Sequence, residues 1–158
     1  MAHSPKRPLS TKSTRFFNPG PVDNRHDTGD HVYGFTKKVD ATYDEAIDRI
    51  QEALQAEGFG VLTKIDVKQT LKTKLDVDFR RYVILGACHP PFAHNALSAE
   101  IDIGLLMPCN VIVYENDEGG CTVGVIDASM MATATGNDSL TGLANELNEK
   151  LKRVLETF

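Results

Sequence analysis

Five residues, Asn116-Asp-Glu-Gly-Gly120, separate two strand-length runs rich in β-branched residues, Cys109–Glu115 and Cys121–Asp127. Runs of this kind joined by so short a Gly-bearing loop read as a β-hairpin. A hairpin forces its strands antiparallel, whereas parallel neighbours need a crossover of a dozen or more residues. An all-parallel sheet is thereby disfavoured, and the rest of the chain has to be fitted around this pair.

Hydrophobic periodicity supplies the other elements. His31–Val39 alternates and reads as a first strand. Thr42 and Glu45 have the spacing of a capping box. Behind them Ala46, Ile47, Ile50, Ala53 and Leu54 recur at helical spacing until Gly58, a helix stop. Gly60–Ile65 is a second strand. Asp66 is expected to cap a short helix with Val67, Leu71 and Leu75 as its apolar stripe. The uninterrupted run Tyr82–Cys88 is expected to be a strand buried on both faces. Pro90 and Pro91 open a short helix that turns Ala93, Ala96 and Leu97 inward. Met130 and Met131 read as apolar filler in a loop. Asp138 or Ser139 is expected to cap a last helix, whose face is Leu140, Leu143, Leu147, Leu151, Val154 and Leu155.

The order predicts an α+β fold: β-α-β(4)-α, an antiparallel sheet covered on one face by two long helices, with short helices near 67–75 and 91–99. A parallel sheet built through the segment 90–99 is the alternative, but that helix is short for a crossover.

Composition closes off several function classes. A chain of 158 residues, 41% apolar and 25% charged, suits one globular domain. No apolar run approaches the ~18 residues of a membrane-spanning helix. A net charge of −5 argues against nucleic-acid binding by the folded part. Residues 1–30 hold Pro5, Pro8, Pro19 and Pro21, with Lys6, Arg7, Lys12 and Arg15 ahead of the first acid, Asp23. They are expected to be a disordered tail, leaving 31–158 as the domain. The start of the chain lacks the apolar segment of a secretory leader, and its 3 cysteines are an odd number. Together these predict reduced thiols and a cytoplasmic location.

The candidate chemistry lies at Cys88, His89, Pro90 and Cys109. Cys88 closes one expected strand and Cys109 opens the next. If those strands are antiparallel neighbours, the two Cβ atoms could come within roughly 3.5–4.5 Å, the range of a disulfide. A helix starting at Pro90 or Pro91 would turn free N–H groups toward residues 88–89 and favour a Cys88 thiolate. The opposing reading is an ordinary buried thiol, since free Cys is among the most buried residue types. Cys88, His89, Cys109 and His94 are also ligand types for zinc or another soft divalent metal. Their spacing matches no standard zinc pattern, and His89 and His94 lie about 140° apart around a helix. Haem ligation by one Cys or His has no further support in the chain. Cys121 continues the set Val123, Val125 and reads as core. No nucleophile elbow and no phosphate loop is present, so no catalytic motif is recognisable.

Tyr82-x-Ile-Leu-Gly-Ala-Cys-His-Pro-Pro, then Ala93 and Ala96-Leu97, then Gly104-Leu-Leu-Met-Pro-Cys-Asn-Val-Ile-Val-Tyr-Glu115, together resemble the family called domain of unknown function 302. The resemblance runs from about Tyr33 to Phe158. It implies a small α+β domain with a layout similar to TATA-binding-protein-like folds, usually a homodimer, and it implies no established reaction. The expectation is therefore a homodimeric binding domain without catalysis. It would take a small ligand or a metal at the Cys88/Cys109 segment. The alternative is a thiol redox or sulfur-carrier protein that uses the same two cysteines.

Overall fold

The computed structural model describes residues 29–31 and 33–158. Most of the expected tail, residues 1–28, lies outside the described residues. A single antiparallel sheet carries the fold: β1 (Gly29–His31), β2 (Gly34–Val39), β3 (Gly60–Asp66), β4 (Tyr82–Cys88), β5 (Cys109–Glu115) and β6 (Cys121–Ile126). The sheet order is β1-β2-β6-β5-β4-β3, and every neighbouring pair is antiparallel. The helices are α1 (Tyr43–Ala56), α2 (Val67–Leu75), α3 (Pro90–Ala99), α4 (Ser129–Thr135) and α5 (Ser139–Glu156), with a 3-10 helix at Ile101–Leu106. No helix among the described residues is long and apolar enough to cross a membrane.

The hairpin expected from Asn116–Gly120 is β5–β6, closed by the Asn116 N–H to the Gly120 carbonyl at 3.1 Å. Gly119 and Gly120 sit at φ +94° and +67°, a backbone region that costs glycine nothing. Alternation along the strands divides the sheet into two faces. Val83, Leu85 and Ala87 of β4, Cys109, Val111 and Val113 of β5, and Cys121, Val123 and Val125 of β6 are buried on the inner face. Helices α1 and α5 cover that face. Each fully buried Leu, Ile or Val in this layer contributes about 1.5–3 kcal/mol.

The outer face has no such cover, which corrects the expectation for β4. Tyr82 and Ile84 are only half-buried there, so the run Tyr82–Cys88 is not buried on both sides. The first strand also differs. Its residues form two strands, β1 and β2, which pair with each other at His31–Gly34.

Thr42 and Glu45 form the expected capping box on α1, and Gly58 follows its end at φ +87°. Asp66 caps α2 through the Gln69 N–H at 2.8 Å. None of the α2 residues is fully buried, so its stripe is a shallow contact. The segment assigned to a loop at Met130 and Met131 is helix α4. Helix α5 receives no side-chain cap from Asp138; Asn137 Oδ1 instead accepts from the Ser139 N–H and hydroxyl at 3.1 and 2.6 Å. At the other end of α5, Lys37 donates to the carbonyls of Leu155 and Phe158 at 3.2 and 2.6 Å. That places a cation at the negative end of the helix.

Candidate functional site

The antiparallel pairing brings the end of β4 beside the start of β5. Their register sets Ala87 opposite Cys109, and Cys88 lies one residue beyond the last pair. Successive side chains in a strand alternate faces, so Cys88 is not the direct cross-strand partner of Cys109. All three cysteines are free. The Met107–Pro108 peptide that leads into β5 is cis. A Cβ on Gly86 would lie 2.7 Å from the Pro108 ring, so the missing side chain lets Pro108 pack onto β4.

Between this end of the sheet and the helices lies an apolar cavity of about 40 Å³. Ala87, Cys88, Met107 and Cys109 line it from the strand ends. His89, Phe92 and Ala96 of the α3 segment form one wall, and Met131, Leu143 and Leu147 of α4 and α5 another. Room of this size holds more than one water, but a water needs several polar partners and this lining offers few.

Burial is the main reason the Cys109 thiol is pushed up to about 11, with the Cys88 charge adding to it. A thiol held there is protonated at neutral pH and a poor nucleophile. Cys88 is half-buried. Cys121 is 1% exposed. It pairs with Val39 and Glu115 at the far end of the sheet, as a core residue. The helix-start argument for Cys88 is also weakened. The first two positions of α3 are prolines without N–H groups, and the Ala93 N–H is already bonded to the His89 carbonyl at 3.0 Å.

His89 occupies the N-cap of α3 without capping it. Its ring meets Phe59 edge-on at 5.3 Å and Phe92 at 4.7 Å, with interplanar angles of 84° and 90°. Gly58 backs the ring so closely that a Cβ there would be 2.9 Å from Nε2. Burial, followed by the nearby Lys150 ammonium, lowers the His89 pKa. Its Nδ1 is buried and has no hydrogen-bond partner.

The α4 wall is held by Asn148 of α5. Asn148 Oδ1 accepts from the Ala128 N–H at 2.7 Å, and Nδ2 donates to Asp127 Oδ1 at 2.6 Å. The same Asp127 oxygen accepts from the Ser129 N–H at 2.8 Å. Burial alone would raise the Asp127 pKa, but the hydrogen bonds from Ser129 and Asn148 outweigh it and lower it.

Of the residues singled out from sequence, Cys88, His89 and Cys109 meet at one cavity; Pro90 begins the adjoining helix, and His94 is exposed. Among the described residues no group of three or more His, Cys, Asp or Glu could hold a metal ion. The proposed set Cys88, His89, Cys109 and His94 is therefore not assembled: the His89 ring is wedged between two phenylalanines, and His94 faces away into solvent. Sequence reasoning passed over Phe59, Phe92 and Asn148. Asn148 did carry a signal, because it stands on the apolar stripe between Ala144 and Leu151. A polar residue there implies a buried hydrogen bond.

A family model described as "Domain of unknown function DUF302" matches residues 35–158. Among solved structures, the "crystal structure of uncharacterized conserved protein DUF302 from Bacillus stearothermophilus" is similar, at 29% sequence identity and a TM-score of 0.75. The alignment covers 80% of this chain and 98% of that one. No curated protein matches.

Proposed function

The chain belongs to the DUF302 family, a domain of unknown function, and from its own residues we propose that it is a non-catalytic binding domain for a small apolar molecule. The observation that carries this reading is the cavity bounded by Cys88, Met107 and Cys109 on the sheet side and by α3, α4 and α5 on the other. A concave apolar lining with few polar groups has the character of a small-ligand pocket; at about 40 Å³ it lies below the ~300–1,000 Å³ of drug-sized sites, so an aromatic ring enters only as the α3 and α4 walls give way. The thiol redox reading is held back by the protonated state of Cys109 and by the one-residue offset between Cys88 and its neighbour's register.

The test is titration with fluorobenzene as the probe, followed by fluorine and amide NMR. Saturable binding with shifts confined to residues 87–96, 103–109 and 128–147 supports the reading. An Ala144→Phe variant, which fills the cavity, should lose that binding while keeping its fold. Shifts scattered over the surface, or none, refute it.

The domain acts as a homodimer in this reading. Leu62, Ile65, Leu75 and Val77 are exposed along β3 and the α2 segment and supply apolar surface that a second copy would cover. Native mass spectrometry should find the dimer mass; a strict monomer removes the proposal. An odd set of free thiols suits a reducing, cytoplasm-like compartment.

A further inference from the structure

We propose that His89 Nδ1 is the hydrogen-bond acceptor of the cavity, and that the ligand is a small apolar molecule carrying a hydroxyl at one end. The inference rests on the cavity reading above and narrows it to a chemical class.

Nearly every buried polar atom in a folded protein has a partner, and an unpaired one costs about 1–3 kcal/mol. His89 Nδ1 is such an atom among the described residues. It is not left over from loose packing. The ring is fixed edge-on by Phe59 at 5.3 Å and Phe92 at 4.7 Å and backed by Gly58. Phe92 and His89 both line the cavity. A ring held so firmly at the wall of an apolar cavity is arranged for a partner that arrives with the ligand. Burial and Lys150 favour the neutral imidazole. A neutral imidazole has one donor and one acceptor nitrogen. With the acceptor at Nδ1, the complementary group is a donor, and the hydrocarbon lining of Met107, Met131 and Leu143 asks for an apolar body behind it. A charged ligand finds no ion-pair partner in this lining.

Phenol and fluorobenzene, nearly equal in shape, separate the two claims. Each is titrated into the full-length protein and into His89→Phe, with amide shifts reporting affinity. Native protein should bind phenol about tenfold more tightly than fluorobenzene, the value of one added hydrogen bond. His89→Phe should bind both alike. In native protein labelled with nitrogen-15, the His89 Nδ1 resonance should move upfield with phenol and stay with fluorobenzene, a readout that does not depend on the variant folding. If neither probe binds, the cavity reading falls and takes this inference with it. If native protein binds both equally, or His89→Phe keeps the phenol preference, the acceptor assignment is overturned and the cavity stands.

Discussion

Asn148→Ala is the sharpest perturbation of the cavity that replaces none of its lining residues. Asn148 is 8% exposed and bridges two groups on the turn that leads into α4. Removing its amide leaves the Ala128 N–H, in a residue that is 0% exposed, without an acceptor. An orphaned buried donor costs about 1–3 kcal/mol. The lost bond to the Asp127 carboxylate adds about 1 kcal/mol, below the ~1.5–3 kcal/mol of a charged partner, because Asp127 is only half-buried and regains water. The sum is about 2–4 kcal/mol, a large share of the ~5–15 kcal/mol that holds a domain folded. For a chain of this length that lowers Tm by about 6–12 °C. Urea unfolding followed by circular dichroism should show a lower midpoint with an unchanged slope. Asn145→Ala, on the exposed face of the same helix, should cost under about 0.5 kcal/mol. Fluorobenzene should also bind the Asn148 variant more weakly, since Met131 hangs on the released turn. A loss below about 0.5 kcal/mol for Asn148→Ala, or an equal loss for Asn145→Ala, would refute the clamp.

Thiol titration of the native protein at pH 7.5 should find Cys88 reacting first, with Cys109 and Cys121 silent until urea unfolds the chain; burial covers both and raises both thiol pKa values. Three cysteines reacting at one rate would contradict the buried placement. His89 makes stability depend on pH, because its pKa in the folded chain lies below the ordinary 6.5. The unfolded chain then binds a proton that the folded chain does not. Stability is complete above about 6.5 and is lost as pH falls from there toward the lowered value. Urea midpoints at pH 7 and pH 5 should differ more for native protein than for His89→Phe. Equal differences would show that the ring contributes nothing to the acid sensitivity.

How much of this was legible in the residues varied with the kind of signal. The faces of α1 and α5 and the β5–β6 hairpin are written in local periodicity and turn residues, and the structure places them where that pattern does. The division into β1 and β2 is announced by no Gly or Pro between His31 and Gly34, so one alternating run hid two strands. Helix α4 is a seven-residue stretch, SMMATAT, too short to display a stripe, and what holds it is Asn148 from a distant helix. At the site, an antiparallel sheet was readable, but the adjacency of β4 and β5, on which the approach of Cys88 to Cys109 depends, entered the sequence reading only as a condition. The one-residue offset between them follows from the shared inner set Val83, Leu85, Ala87, Cys109, Val111 and Val113. The packing of His89 between Phe59 and Phe92 was not readable, because edge-on ring contacts from separate elements leave no mark in spacing.

The two margins of the sheet are unequal. One ends in three residues, β1, and the other in the seven of β3, where Leu62 swells out between Val61 and Thr63. A margin of three residues offers a visiting chain almost no ladder, and the longer β3 is blunted by its bulge and by Lys64 along it. Among the described residues both margins thus resist main-chain pairing with a second molecule, one by being short and the other by being bent and charged.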